Sequence, residues 1–311
     1  MNKEILYRAF LDPVRSLHII SKKVRYLSWK KYADKIREPK IIANDSEYVK
    51  NNTRLLPKII GEEFQSYSIR TEDVEIDISE YNKFVNEVDY KNIFKDYNNF
   101  YSHVIHEKIL EHYSALLLLN PSRIKEKNIV FMDVGSERSI VSDIYKKKYG
   151  WQVYRQDIAY KTGIHGEYIG SDAAQIPLAD ESVHLMASYC AYEHFEPDSD
   201  IGVVKEAQRI LKPGGRFVIL PLYLSDKDRI VTDPVVSVPS KINLPADIEV
   251  ICVPKYWNRF GRLYSVSTLK NRILDQWKCG PSWIAHFVNF REVHGQCYLS
   301  YGLVFEKDYK C

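Results

Sequence analysis

Three aspartates follow three segments whose patterns predict β-strands. They are Asp133 after residues 129–132, Asp157 after residues 151–156 and Asp172 after residues 167–170. In an open parallel sheet, ligands bind beyond the carboxyl ends of the strands, where the strand order reverses. Carboxylates at that edge accept hydrogen bonds from hydroxyl, amino and ammonium groups. The spacing of the three acids therefore predicts a binding site for a ligand that carries such groups.

The turn after the first strand-like segment reads Asp-Val-Gly-Ser-Glu-Arg-Ser, residues 133–139. A turn that holds a pyrophosphate needs several glycines so that a helix N-terminus can approach the phosphates, and this turn has Gly135 alone. Ser136 supplies a hydroxyl donor, and the charge of Arg138 could pair with a carboxylate. The turn favours a ligand without phosphate and disfavours NAD.

The elements that must position these residues alternate between strand and helix, as a doubly wound, mostly parallel α/β sheet requires. Further strands are predicted at 183–189 and 216–220, helices at 139–148, 201–211 and 267–277, and a closing antiparallel hairpin at the sheet edge from 283–290 and 297–305. A Pro-Gly-Gly turn, residues 213–215, ends the second helix. The pattern predicts one large α/β domain.

Residues 169–220 carry four features together: Asp-Ala after the third strand, Pro-Leu-x-Asp-x-Ser before the fourth, Glu-His after it, and Leu-Lys-Pro-Gly-Gly at a helix end. As a set they resemble the class I methyltransferases that use S-adenosylmethionine, over roughly residues 125–221. The resemblance implies a Rossmann-like sheet of seven strands with the cofactor over strands one to four. The stretches "IHGEYIGSDAA", "EHFEPDSDI" and "LPLYLS" further resemble bacterial methyltransferases found among surface-polysaccharide genes.

The resemblance also implies roles for individual residues. Asp133 and Gly135 would form the first cofactor motif, Asp157 would hold the ribose, and Asp172 with Ala173 would meet the adenine. The family usually has a second glycine in the first motif, where this chain has a different turn. Ser136 and Arg138 are predicted to bind the methionyl carboxylate in its place.

Methyl transfer needs an aligned acceptor, a dry site and, for a hydroxyl acceptor, a base. His194, just beyond the fourth strand, is the candidate base because an ordinary imidazole titrates near neutral pH. Glu193 could orient His194 or act itself. A structural role for this Glu-His pair is an equal alternative, because such a pair occurs across this fold whatever the substrate.

The segment of about residues 222–265 looks irregular and is the predicted acceptor site. Its aromatic and charged side chains suit sugars, carboxylates or phosphates; they include Tyr223, Arg259, Arg262 and Tyr264, and also Arg229, Asp233, Tyr256, Trp257, Asn258. A structural insertion could have the same composition.

Residues 1–120 are predicted to form a mostly helical N-terminal module, followed by the methyltransferase domain at 121–311. Residues 1–40 hold 11 Lys and Arg against four acids, and apolar residues from Val14 to Leu27 recur at helical spacing. This basic helix either contacts an anionic membrane surface or an acidic partner, or packs on its own domain with a solvated basic side. The end of the module could cover the cofactor, with Tyr101 and His106 as contacts. The histidines of the module lack the spacing of a metal site, so no metal is expected there.

The five cysteines are scattered and odd in number, and no apolar stretch is long enough for a membrane span, so a cytoplasmic, reduced protein without structural zinc is expected. The predicted function is O-methylation of a carbohydrate or glycolipid-linked precursor with S-adenosylmethionine. A non-catalytic module that lost the cofactor is the alternative. Nucleic-acid methylation is disfavoured, because no Asn-Pro-Pro-Tyr-like motif follows the fourth strand.

Overall fold

A computed structural model describes residues 29–36, 40–41, 60–245, 247–254 and 258–311. The predicted basic helix, which spans the apolar positions Val14 to Leu27, lies outside the described residues, as do Tyr256 and Trp257. Within the described residues, no helix has both the length and the apolar character needed to cross a bilayer.

The large sheet has eight strands in the order β2-β11-β12-β7-β6-β3-β4-β5. Their bounds are β2 Thr71–Val74, β3 Val130–Val134, β4 Gln152–His165, β5 Tyr168–Gly170, β6 Val183–Tyr189, β7 Leu211–Leu220, β11 Ser282–Phe287 and β12 Tyr301–Glu306. All pairs are parallel except those of β12, which runs antiparallel to both β7 and β11. The predicted doubly wound Rossmann-like fold is therefore confirmed.

The predicted count of seven strands is too low by one, and the extra strand is β2. It pairs in parallel with β11, so the closing hairpin of β11 and β12 does not form the sheet edge. The segment Thr71–Val74 reads Thr-Glu-Asp-Val, with alternating exposed and half-buried side chains and no apolar run. A strand of this kind gives only a weak hydrophobic pattern, because it lies at an edge and faces water on one side.

The helices around this sheet are mostly amphipathic. Their bounds are α1 Ile78–Val88, α2 Tyr90–Ile93, α3 Lys95–Phe100, α4 Ile105–Leu119, α5 Val141–Tyr149, α6 Ser199–Ile210, α8 Val266–Thr268 and α9 Phe290–Val293, with single turns of 3₁₀-helix at Pro121–Arg123, Tyr192–His194 and Leu274–Gln276 and a π-helix at Leu269–Ile273. The predicted helix at 267–277 is thus three short pieces. Helix α4 packs on β6 and β7, and 11 of its 15 residues are buried, including three charged side chains.

The segment predicted to be irregular contains β8 Arg229–Thr232, α7 Pro234–Ser237, β9 Glu249–Cys252 and β10 Gly261–Leu263. With β1, Lys40–Ile41, these strands form a second sheet in the order β1-β9-β8-β10. These strands have only two to four residues each and are separated by segments with Pro and polar residues, so no hydrophobic period can be recognised in them.

The chain divides into two compact units. The first unit combines residues 1–50 with residues 229–262, and the second unit combines residues 51–228 with residues 263–311. These units differ from the division at residue 120 that the sequence predicts, because β2 and α4 build onto the large sheet. The functional roles assigned to the two predicted parts remain predictions.

Two of the five cysteines are paired in the structure. Cys279 and Cys311 form a disulfide, whereas Cys190, Cys252 and Cys297 are free thiols. The bridge joins the segment before β11 to the last residue of the chain. The scattered spacing of the cysteines gave no indication of this pair, since sequence spacing alone does not reveal which cysteines the fold brings together.

Candidate active site

Asp133 lies at the carboxyl end of the central strand β3 and is 1% exposed. Its Oδ2 accepts a hydrogen bond of 2.6 Å from the Ser139 hydroxyl, whereas its Oδ1 is buried without a well-formed hydrogen bond among the described residues. Burial raises the pKa of Asp133 to about 7, and the Ser139 hydroxyl and the Arg155 guanidinium oppose this rise. The free oxygen could accept a hydrogen bond from a ligand ammonium.

Gly135 turns the chain away from β3 with a φ of +70°. A Cβ at this position would lie 2.5 Å from the Cβ of Ala191, in the loop that follows β6. The Gly135 amide donates to the Gln156 carbonyl at 2.9 Å. The turn therefore packs closely on the loop that contains the predicted catalytic pair, and only glycine satisfies both the backbone angle and the contact.

Asp157 lies next to this turn, on β4. Its two carboxylate oxygens accept hydrogen bonds from the backbone amides of Glu137 at 2.9 Å and Ala159 at 2.8 Å. The side chain thus holds the turn after β3 in place. Each carboxylate oxygen retains a second lone pair, so a ribose hydroxyl could still donate to it.

Asp172 follows β5 and is half-buried. Its Oδ1 accepts from the Ala174 amide at 2.9 Å, and its Oδ2 accepts from the Ser199 hydroxyl at 3.0 Å, at the start of helix α6. Ala173 is buried beside it. Because β3, β4 and β5 are neighbours in the sheet, the structure places Asp133, Asp157 and Asp172 along one sheet edge, in the predicted order.

The other two residues predicted in the turn are engaged by the protein itself. Ser136 is 1% exposed, and its hydroxyl donates to the Gln156 carbonyl at 3.2 Å. The guanidinium of Arg138 stacks 4.9 Å from the ring centre of Phe100, at the end of helix α3. Their proposed contacts with a methionyl carboxylate remain predictions.

A buried polar cluster lies in the second unit, between helix α4 and the loops that follow β6, β7 and α9. The Lys108 ammonium lies 3.1 Å from both oxygens of Glu111 and contacts the Cys190 sulfur. The Tyr223 hydroxyl lies 3.6 Å from the same sulfur. We call Lys108, Glu111, Cys190 and Tyr223 the α4 cluster. Of the four predicted acceptor residues, the structure places Tyr223 here.

The α4 cluster brings one ammonium together with one carboxylate, one thiol and one phenolic hydroxyl. Burial lowers the pKa of Lys108, but the neighbouring Cys190 and Glu111 outweigh burial and hold it well above its usual value. Burial also raises the pKa of Cys190 and Tyr223 well above their ordinary values, so both remain protonated donors at neutral pH.

A second pair of groups extends the α4 cluster along the helix. Glu107 is 2% exposed, and its Oε2 accepts from the Tyr298 amide at 2.7 Å. Burial and the nearby Glu111 raise the pKa of Glu107 to about 8. The ring of Tyr101 faces the Lys108 ammonium at 5.7 Å, whereas His106 stacks on His294 at 3.9 Å. Of the two predicted lid contacts, Tyr101 therefore lies at the α4 cluster, and His106 is exposed.

The predicted catalytic pair forms a single turn of 3₁₀-helix just beyond β6. Glu193 is 8% exposed, and its Oε1 lies 3.5 Å from Nε2 of His194, whose side chain is 31% exposed. The other oxygen, Oε2, is buried without a hydrogen bond among the described residues. Leaving such an oxygen unpaired costs about 1–3 kcal/mol, which marks the position as one where stability is not the sole requirement.

Of the remaining predicted acceptor residues, Tyr264 does not join this site. Tyr264 is 1% exposed, and its hydroxyl donates to Asp200 of helix α6 at 2.7 Å, so it occupies a core position rather than an open one. Arg259 and Arg262 belong to the first unit, where the Arg259 carbonyl accepts from the Thr232 hydroxyl at 2.6 Å. The acceptor roles of these arginines remain predictions.

Sequence reasoning missed Lys108, Glu111 and Cys190. One signal was available: helix α4 carries Glu107, Lys108 and Glu111 in an otherwise apolar stretch, and buried charges need a partner. The partner was not predictable, since Cys190 lies 82 residues away from Lys108 in sequence.

Comparison with known proteins adds one decisive match. The sequence model of a family described as a methyltransferase domain matches residues 132–219, the segment from β3 to β7. Residues 132–219, less than half of the chain, are thus similar to a methyltransferase domain. The predicted enzyme class, S-adenosylmethionine-dependent methyltransferase of class I, and the predicted cofactor, S-adenosylmethionine, are thereby confirmed. No curated protein matches the sequence.

Solved methyltransferase structures are similar to the chain at low identity. One is the 1,6-didemethyltoxoflavin N1-methyltransferase of Burkholderia thailandensis, with 1,6-didemethyltoxoflavin and S-adenosylhomocysteine bound, at 14% identity, 75% of this chain, 91% of that chain and a TM-score of 0.44. Another is the geranyl diphosphate C-methyltransferase of Streptomyces coelicolor A3(2), at 12% identity, 64% of this chain, 77% of that chain and a TM-score of 0.39. Both are too distant to assign an acceptor to the methyltransferase domain.

The residues of the methyltransferase domain fit the cofactor. Asp133 offers a buried carboxylate oxygen, Asp157 and Asp172 offer carboxylates along the same edge, and no phosphate-binding turn is needed. Among the residues that the structure describes, no group of three or more His, Cys, Asp or Glu side chains is arranged to hold a metal ion.

Proposed function

We propose that the chain O-methylates a carbohydrate, either free or as a surface-glycan or glycolipid-linked precursor. The observation that supports this acceptor class is the α4 cluster. It places the Tyr223 hydroxyl, the Glu111 carboxylate and the Lys108 ammonium together behind the β6 loop. Groups of this kind recognise the hydroxyls of a sugar. The resemblance of "IHGEYIGSDAA" and "EHFEPDSDI" to methyltransferases of surface-polysaccharide genes points the same way.

In this proposal, S-adenosylmethionine supplies the activated methyl group, and the chain binds and orients both partners. Asp157 and Asp172 hold the nucleoside, Asp133 holds the ammonium, and the loop after β6 faces the methyl group. That loop is in contact with the Gly135 turn through Ala191, which supports placing the acceptor next to it.

Cofactor binding is the first part of the test. Calorimetry with S-adenosylhomocysteine should show binding to the wild type and at least a tenfold weaker affinity in Asp172→Asn, because a carboxylate acceptor becomes an amide. Asp180→Asn is the matched control, since Asp180 is an exposed acid in the next turn that pairs with Arg209. A wild-type chain that does not bind would support a non-catalytic module that has lost the cofactor.

Methyl transfer is the second part. The wild type is incubated with methyl-labelled S-adenosylmethionine and a panel of UDP-glucose, UDP-N-acetylglucosamine, methyl α-galactoside and a short RNA. Label on the sugar oxygens of at least one carbohydrate, seen by mass spectrometry, supports the proposal. Label on the RNA alone, or on none of the sugars, refutes the carbohydrate acceptor.

The basic segment 1–40 supports a further part of the proposal, contact with an anionic membrane that carries a glycolipid-linked acceptor. Co-sedimentation with phosphatidylserine vesicles should exceed that with phosphatidylcholine vesicles and should fall as salt rises. Equal sedimentation with both kinds of vesicle would contradict membrane contact and favour the alternative that this helix packs on its own domain.

A further inference from the structure

Three buried carboxylates lie near the loop that follows β6, and they differ in what their oxygens already bind. Glu111 has both oxygens bonded to the Lys108 ammonium. Glu107 accepts the Tyr298 amide at Oε2, whereas its Oε1 is buried without a well-formed hydrogen bond among the described residues and has the Cys297 thiol as a neighbour; Glu107 lies on helix α4, not in the loop. Glu193 lies in that loop itself, and its Oε2 is buried without a hydrogen bond among the described residues. Of the three carboxylates, Glu193 is the one with both properties.

The position of Glu193 relates it to both substrates. Ala191, two residues earlier, is in contact with the Gly135 turn of the cofactor motif. Cys190, three residues earlier, belongs to the α4 cluster, and the Glu193 charge acts on Cys190, Glu111 and Tyr223. Glu193 therefore belongs to a loop that contacts both the Gly135 turn, through Ala191, and the α4 cluster, through Cys190.

The second carboxylate oxygen of Glu193, Oε1, contacts His194 rather than the α4 cluster. Its Oε1 lies 3.5 Å from Nε2 of His194. The His194 side chain is 31% exposed, whereas Glu193 is 8% exposed, so the imidazole reaches solvent and the carboxylate does not. A proton taken up by the buried carboxylate could thus leave through the partly exposed imidazole.

We propose that Glu193, and not His194, is the general base of methyl transfer, and that His194 carries the proton on to solvent; this rests on the proposed function. The acceptor oxygen forms its bond to the methyl carbon while the sulfur–carbon bond breaks. The electron pair of that bond stays on sulfur, which leaves as the neutral thioether, and the hydroxyl proton goes to Oε2 of Glu193. Charge and atoms balance without a further reactant.

A first test needs no acceptor, because it concerns the fold. A residue retained for stability destabilises when changed, whereas an unpaired buried carboxylate retained for catalysis does not. Glu193→Gln should unfold at the same or a higher urea concentration than the wild type and should bind S-adenosylhomocysteine with unchanged affinity. Glu292→Gln, an exposed acid on α9, is the control. A marked fall in the Glu193→Gln midpoint overturns the inference.

A second test measures turnover with the sugar that the wild type methylates. Glu193→Gln should lower kcat by about 10²- to 10⁴-fold with little change in acceptor KM, since the carboxylate acts as base rather than as anchor. His194→Gln should lose less. Added formate should restore part of the activity of Glu193→Ala, which a purely structural residue would not show.

The outcomes separate this inference from the proposed function. A wild type that binds S-adenosylhomocysteine but methylates no sugar refutes the acceptor class, and the inference falls with it. A wild type that methylates a sugar while Glu193→Gln keeps full kcat, or while His194→Gln loses more, refutes the inference alone.

Discussion

At the scale of single residues, burial sets the chemistry of Asp133. Its pKa is raised to about 7 because the carboxylate is removed from water, and one of its oxygens lacks a strong hydrogen bond. A cofactor ammonium beside Oδ1 would favour the ionised form and lower that pKa. Binding of S-adenosylhomocysteine should therefore be tighter above neutral pH than below it.

The same residue makes stability depend on pH. The folded state holds the Asp133 proton up to about pH 7, whereas the unfolded chain releases it near the ordinary pKa of 3.8. The stabilising contribution is full below the unfolded pKa and is lost as pH rises toward 7, by at most roughly 4 kcal/mol. Urea unfolding at pH 5 and pH 8 should show a smaller loss in Asp133→Asn than in the wild type. An equal loss in both proteins would contradict this.

Gly135→Ala tests the turn itself. The alanine must adopt a φ of +70° and place a Cβ 2.5 Å from that of Ala191, so the loop after β6 must move. Gly150→Ala is a matched control, because Gly150 has a φ of +68° but no atom within 4 Å of the added Cβ. The control should lose about 1–2 kcal/mol of unfolding free energy, and Gly135→Ala should lose more and also lose cofactor affinity. Equal losses, with cofactor binding intact in both variants, would show that the contact does not matter.

The sequence predicts the location of a single residue well when that residue directly follows a predicted strand. Asp133, Asp157 and Asp172 could be placed because strands of one parallel sheet end at one edge. The residues of the α4 cluster could not be brought together from the sequence, because their contacts depend on which loops pack against helix α4. Nor could the burial of Tyr264 be predicted, since its hydroxyl partner, Asp200, lies on another element.

At the scale of elements, most strands of the large sheet were predictable, whereas its polar edge strand β2 and the very short strands of the small sheet were not. Strand β6 is buried along nearly its whole length and was predicted with its observed bounds, Val183–Tyr189. Strand β2 has no buried residue, and the strands of the small sheet fall in a segment rich in polar residues and proline. Strand β2 escapes because it is not buried, whereas β8, β9 and β10 are buried but have only three or four residues each, too few to show a period.

Helix α6 is held at its N-terminal end by ion pairs of Arg272 with the buried Asp200 and the exposed Asp198. Arg272 donates to Asp200 at 2.6 Å and to Asp198 at 2.8 Å, and the Tyr264 hydroxyl donates to the same Asp200 at 2.7 Å. Asp200 is fully buried, so each donor matters to its charge. This arrangement fixes the helix start beside Ser199, which in turn bonds Asp172.

Tyr264→Phe distinguishes this core role from the predicted acceptor role. Loss of one hydrogen bond to a buried carboxylate should lower the unfolding free energy by about 1.5–3 kcal/mol, while acceptor KM stays unchanged. Tyr67→Phe is the control, because Tyr67 is 40% exposed. A raised acceptor KM at wild-type stability would instead favour the acceptor role.

At the scale of the whole molecule, the chain is two compact units with different contents. The second unit holds the large sheet, the three aspartates and the α4 cluster, whereas the first holds most of the small sheet and the arginines of the predicted acceptor segment. The net charge of +3 divides into +7 for residues 1–40 and −4 for the remainder. Binding of S-adenosylmethionine is therefore expected to stabilise the second unit, which contains the three aspartates.

Thermal unfolding with and without S-adenosylhomocysteine examines this expectation. A ligand that binds only the folded state at 100 times its Kd adds about 2.7 kcal/mol, which raises Tm by several degrees. If the two units unfold in separate transitions, only the transition of the second unit should shift, since Asp133, Asp157 and Asp172 all belong to it. NAD at the same concentration should shift neither transition, because the turn at Gly135 lacks the glycines that approach a pyrophosphate. Asp172→Asn should shrink the shift, and a shift of the first unit alone would place the cofactor elsewhere in the chain.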